Sequence, residues 1–136
     1  MKWMFSCRAR STARISELRT RRGCMRRSAV IVAPDRSIAG AIEGIGLSVI
    51  EAMASGLPVV AAAAGGHLES VGGVPIPALF APGDHEAAAH HLVRLVDDPT
   101  TLDAYGTALR ERQRRALTIA EQARATDEVY RHALVS

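Results

Sequence analysis

The sequence predicts an α/β fold: a small parallel sheet with flanking helices. Three short apolar stretches carry this expectation. Ser28–Ala33 (SAVIVA) and Val59–Ala62 (VVAA) have the unbroken apolar character of strands buried on both faces. Ala78–Phe80 reads as a third, shorter strand. Helical patterns separate and follow these runs, and a parallel sheet needs such crossovers.

The chain has 136 residues, 48% apolar and 23% charged, so it forms one domain at most. A chain of this size buries roughly two-thirds of its unfolded surface. No apolar run approaches the ~18–20 residues that cross a membrane. A cytoplasmic location is expected, with a peripheral membrane position as the alternative. Aromatics make up only 4%, which argues against a stacking platform for nucleic acid. Cys7 and Cys24 match no metal-ligand spacing, and a reduced state is the default. The net charge of +3 belongs to one end. Residues 1–28 hold nine of the 17 Lys and Arg and one of the 14 Asp and Glu, which leaves eight basic and 13 acidic residues in 29–136. The expected division is therefore a basic N-terminal segment, 1–28, irregular or helical, and a folded unit, 29–136.

Within the basic segment, Ile15–Met25 can form a helix with Ile15, Leu18 and Met25 on its apolar face. A nucleic-acid-binding or lipid-binding arm is the sharper and less favoured reading. Pro34 stops the first strand, and Asp35 and Arg36 open the loop that follows. For Asp35 a turn or cap role is preferred over ligand contact. The central stretch is Glu43–Gly66, EGIGLSVIEAMASGLPVVAAAAGG. Gly44 and Gly46 permit a tight backbone path. A short helix follows, with Leu47, Ile50, Ala54 and Met53 at apolar spacing. Gly56 and Pro58 end it, Val59–Ala62 is the buried strand, and Gly65 and Gly66 turn the chain.

After that turn His67–Val71 reads as a short helix and Gly72–Pro77 as a breaker-rich loop. Asp84 is the expected N-cap of the next helix, with Leu92, Val93, Leu95 and Val96 as its apolar stripe. Asp97-Asp98-Pro99 ends that helix. Thr100 or Thr101 then caps another that runs through Arg115, and Ile119–Leu134 forms the last. His90 and His91 are helix neighbours pointing ~100° apart, so they cannot share a metal, and both are expected at the surface. Arg110, Arg112, Arg114 and Arg115 read as a solvated basic face.

Two carboxylates frame the central helix. Eight helical steps would set Glu43 and Glu51 roughly 12 Å apart at about 1.5 Å per residue. That exceeds the ~5–9.5 Å of a glycosidase pair and suits the two ends of an elongated ligand. Between them lie the free amides of a helix start, which attract anions. Acid, anion-seeking amides, acid is a pattern that fits a sugar nucleotide.

These residues resemble the donor-binding signature of the large retaining glycosyltransferase family 4, the group 1 enzymes of the GT-B fold. The signature runs E-G-F-G-L-x-x-x-E-A-M-A-x-G-x-P-V-V, followed by G-G-x-x-E. Here it stands as Glu43, Gly44, Ile45, Gly46, Leu47, Glu51, Ala52, Met53, Ala54, Gly56, Pro58, Val59 and Val60, then Gly65, Gly66 and Glu69. Two acids at that spacing alone carry nothing; the full run in register is specific. His67 and Leu68 stand where the family usually has Ile-Pro, and Asp35 where it has serine. His67 as a catalytic acid or base is the weaker reading, since the family takes no chemistry from that position.

The resemblance implies a partial Rossmann-like parallel sheet with flanking helices, a fragment of the GT-B C-terminal domain. It implies transfer of a sugar from a nucleotide-sugar donor to an acceptor hydroxyl with retention. Glu43 would act at the donor sugar near the reaction centre. Gly44, Ile45, Gly46 and Leu47 would hold sugar and diphosphate, Glu51 the ribose, and Gly65 and Gly66 would lie along the donor cleft. No cofactor and no metal are expected, the nucleotide-sugar being the donor substrate; the acceptor is unknown. The acceptor-binding N-terminal domain would come from elsewhere or from a partner chain. The alternatives are a nucleotide-sugar binding module without transfer activity, an inactive truncated chain, and a basic-tail nucleic-acid binder.

Overall fold

The computed structural model describes residues 28–33 and 46–135. The helix expected over Ile15–Met25 and the loop from Asp35 to Ile45 lie outside them. The sheet has three strands in the order β1 (Ile31–Ala33), β2 (Val59–Ala62), β3 (Leu79–Phe80), all parallel. Ile31 pairs with Val59 and Ala33 with Ala61; on the other side Ala61 pairs with Leu79 and Ala62 with Phe80. Every residue of the central β2 is fully buried, so both of its faces are covered, as its unbroken apolar run predicts. Among the described residues β1 and β3 are the sheet's edges. The expected α/β class, a partial Rossmann-like sheet with flanking helices, is what the chain forms.

Helix α1 (Leu47–Ala54) ends where Gly56 was expected to end it. Gly56 has φ +74°, its N–H bonds Met53 O at 2.9 Å, and Leu57 N–H reaches back to Ala52 O at 3.0 Å. These are the two bonds of a left-handed glycine cap. The inward stripe differs from the expected one. Val49, Ala52 and Met53 are buried, Ile50 is half-buried, and Leu47 (73% exposed) and Ala54 face outward. Apolar residues occupy nearly every position of this helix, so spacing alone could not choose the face.

Beyond β2 come one helical turn, α2 (His67–Ser70), and a 3-10 turn (Val71–Gly73). Helix α3 (His85–Asp97) has the predicted Asp84 cap, whose Oδ1 accepts from Ala87 N–H at 2.9 Å. Its buried positions are Ala88 and Leu95, with Leu92 packed against the core; Val93 and Val96 are at least half exposed, against expectation. His90 is exposed as expected. His91 is not a free surface residue: it is half-buried, and its Nε2 donates to Leu79 O at 3.0 Å, tying α3 to β3.

Helix α4 (Pro99–Ala116) is capped by Asp98 rather than by Thr100 or Thr101. The Asp98 carboxylate accepts from both threonine N–H groups and from Thr101 Oγ1 at 2.6 Å. The Thr101 hydroxyl holds its carboxyl below the usual carboxylate range, aided by the backbone bonds. Pro99 fits the first helical position, where no N–H is needed. Helix α5 (Ile119–Val135) closes the chain, and Thr118 Oγ1 caps it by accepting from Glu121 N–H at 3.2 Å.

The core lies between the sheet and helices α1, α3 and α4. Met53, Leu95 and Leu109 are its largest fully buried side chains. Each contributes about 1.5–3 kcal/mol relative to exposure. Two α4 residues fix that helix against the rest. Tyr105 Oη donates to Val59 O at 2.8 Å and accepts from Ala78 N–H at 3.0 Å, so one buried phenol joins the starts of two strands. Burial pushes its pKa up. Gly106 lets α4 rest directly on Gly56, the cap of α1.

Candidate functional site

Three parallel strands end on one side of the sheet, and from that side the chain enters a helix each time: Ala33 toward α1, Ala62 toward α2 and Phe80 toward α3. Helix N-termini therefore gather at the carboxyl ends of the strands, where open α/β sheets bind ligands. Gly46 opens α1 with φ +69° and ψ 84°, a left-handed conformation that a side chain opposes. Its carbonyl accepts from Val49 N–H at 2.9 Å and Ile50 N–H at 3.2 Å. No side chain caps α1, and the N–H groups of Leu47 and Ser48 take no acceptor among the described residues. The sequence offers no Ser, Thr, Asn or Asp at this cap, so among the described residues the helix start keeps the free N–H groups that attract anions.

The second glycine turn follows β2. Gly65 has φ +52°, and Gly66 O accepts both Ser70 N–H and Ser70 Oγ at 2.9 Å, which fixes α2 to the turn. Of the expected site residues, Gly46, Leu47 and Glu51 thus lie on or before α1, while Gly65 and Gly66 lead into α2, and α1 and α2 touch. The Leu47 and Glu51 side chains are exposed. Glu43, Gly44 and Ile45 lie outside the described residues.

His67 links the two turns, a role the sequence did not reveal. It is 4% exposed; its Nδ1 donates to Ala62 O at 3.1 Å. A Cβ on Gly46 would meet His67 Nε2 at 3.1 Å, so this ring lies against the α1 cap. Arg112 was missed in the same way. Instead of joining a solvated face, its stem folds over Gly73 and its Nη2 donates to Glu69 O at 3.2 Å, tying α4 to the end of α2. The signal available was Gly72-Gly73, which leaves room for a large neighbour.

Two surface hollows elsewhere run along α5, one of them lined by Arg124, Asp127, Glu128, Arg131 and His132. Among the described residues, those that line both belong to that one helix. Among the described residues no three His, Cys, Asp or Glu side chains gather to hold a metal, and no helix is long and apolar enough to cross a membrane.

The family described as "Glycosyl transferases group 1" matches residues 9–98, most of the chain. The chain belongs to this family. The group 1 match runs through β1, α1, β2, α2, β3 and α3, so it includes both glycine turns and His67. A stretch of 87 residues is 42% identical to the sulfoquinovosyl transferase SQD2 of Arabidopsis thaliana, covering 60% of this chain and 16% of that protein. The matched stretch is thus about a sixth of that relative's length. No solved structure matches the chain. Glycosyl transfer is the chemistry of the group 1 family.

Proposed function

We propose that this chain is the donor-binding, C-terminal part of a family 4 retaining glycosyltransferase of the GT-B fold. The reaction moves a sugar from a nucleotide-sugar to an acceptor hydroxyl. The bond from the anomeric carbon to the diphosphate breaks, a bond to the acceptor oxygen forms, the hydroxyl proton is lost and a nucleoside diphosphate leaves. Glu43 acts beside the anomeric carbon, and Glu51 accepts the ribose hydroxyls. The amides of Gly44, Ile45, Gly46 and Leu47 hold sugar and diphosphate, with Gly65 and Gly66 lining the cleft. Stabilising the departing diphosphate is then mainly electrostatic, a task for preorganised N–H groups and a helix dipole. The scheme calls on no metal or other cofactor.

The observation that supports this reading is the signature run itself, whose Gly46 opens a helix that no described side chain caps. The match to SQD2, named as a transferase of a sulfoquinovosyl sugar, supports a sugar as the transferred group. Its length leaves room for an acceptor-binding domain that a second segment or partner chain supplies. A cytoplasmic or membrane-peripheral location suits such an enzyme.

The test is thermal unfolding of the full chain with UDP, GDP and ADP at millimolar concentration. One nucleotide should raise the midpoint, by about 2.7 kcal/mol of added stability at 100 times its Kd. Glu51→Ala should abolish that rise. No response to any of the three, or an equal rise in Glu51→Ala, would count against the donor site.

A further inference from the structure

We propose that His67 is a ligand-binding residue of the donor site: its Nε2, as an imidazolium N–H, hydrogen-bonds a phosphate oxygen held at the start of α1. The inference rests on the donor reading above and adds to it a residue the signature does not contain. Three observations lead to it. The Nδ1 partner is a carbonyl, which can only accept, so Nδ1 carries a proton and the ring's orientation is set. Nε2 then is the nitrogen left over; it has no partner among the described residues and lies against Gly46, 3.1 Å from where a Cβ would stand. The helix that begins there presents Leu47 and Ser48 N–H groups that, among the described residues, have no acceptor and no side-chain cap.

A neutral His67 would turn a lone pair toward this opening, beside N–H groups that seek negative charge. A phosphate there reverses the preference, because its oxygens favour a protonated Nε2 while the amides of α1 bind the same anion. His67 is buried, so its ring is held rather than searching, which lowers the ordering cost of the contact. The same ring joins the Gly65-Gly66 turn to the Gly46 turn, so the diphosphate would be met by two glycine turns in fixed relation.

Two substitutions separate this contact from a packing role. Asparagine places its amide nitrogen near Nδ1 and can keep the Ala62 bond but has nothing at Nε2; glutamine reaches the Nε2 position. With UDP, GDP, ADP and inorganic pyrophosphate as probes, His67→Asn should fold and bind roughly 10- to 100-fold more weakly, the value of a hydrogen bond to a charged group. His67→Gln should keep most of the affinity. Nitrogen-15 NMR of the imidazole in the unaltered chain gives a readout that packing alone does not move. Adding pyrophosphate, or whichever nucleotide binds, should shift Nε2 from the unprotonated to the protonated position while Nδ1 stays protonated. Nucleotide binding with an unmoved Nε2, or with full affinity in His67→Asn, overturns the assignment and leaves the donor reading standing. If no diphosphate probe binds at all, both fall together.

Discussion

The block from Gly46 to Ser70 and helix α5 are both built from short-range patterns, yet they are held in opposite ways. In the block, all of β2 is fully buried, and two of its glycines rest on a distant part of the chain: Gly56 on α4, Gly46 on His67. In α5, Ile119 and Leu134 are 86% and 85% exposed. Its ion pairs among the described residues are local, Arg124 to Glu121 at 2.9 Å and Arg131 to Asp127 at 2.9 Å, each within about one helical turn. A binding site needs groups held to fractions of an ångström, and only the first arrangement supplies that. Local ion pairs keep α5 helical without saying where it sits.

The sharpest way to break the block is at Gly106. A methyl there would press into the Gly56 carbonyl oxygen and stand 3.3 Å from Pro58 Cδ, all on backbone or ring atoms that cannot swing aside. Gly106→Ala should therefore force α4 off the α1 cap and cost about 3 kcal/mol in chemical denaturation, despite alanine's better helix propensity. A neutral or stabilising result would mean that the two helices are not in this contact. Tyr105→Phe is next. It keeps the ring and strands Val59 O and Ala78 N–H, two buried backbone groups that lose their shared partner. The expected loss is about 2 kcal/mol, with faster amide exchange concentrated at Ala78. A uniform loss without that local signature would place the cost elsewhere.

The contrast also explains what could be read from the sequence. Strands and helix ends were legible because single residues determine them: an apolar run for β2, Gly56 for the end of α1, Asp84 for the start of α3. The apolar stripes were less so. Leu47 and Val93 satisfy helical spacing as well as Val49 and Leu92 do, and only the position of α4 and the sheet decides which pair packs into the core. The Asp98 cap was hidden because Asp97-Asp98-Pro99 ends one helix and starts the next with Asp98 alone between them. For the candidate site, the glycines of the signature were legible one by one. His67 was not, since a histidine beside a Gly-Gly turn carries no periodicity and its meaning lies in a neighbour 21 positions earlier, Gly46. Arg112 is the same case on a longer lever, with an aliphatic stem that reaches Gly73 and Glu69 from another helix.

The smallest expected effect lies in α5. Arg124 bonds Glu121 and approaches Glu128 at 3.8 Å, with both acids on its own helix, Arg124 and Glu128 largely solvated and Glu121 partly so. Removing it by Arg124→Ala takes away local helix support and nothing that joins α5 to the sheet. Amide exchange along α5 should quicken, more so at low salt, while the cooperative unfolding of the block keeps its midpoint. A fall in that midpoint would show that α5 bears on the core after all, and the division into a held region and a self-supporting one would have to be redrawn. If only α5 responds, the exposed row of Ile119, Tyr130 and Leu134 costs the block nothing by standing uncovered. The fold of the site then depends on α1 to α4, and its precision on the few residues that cross between them.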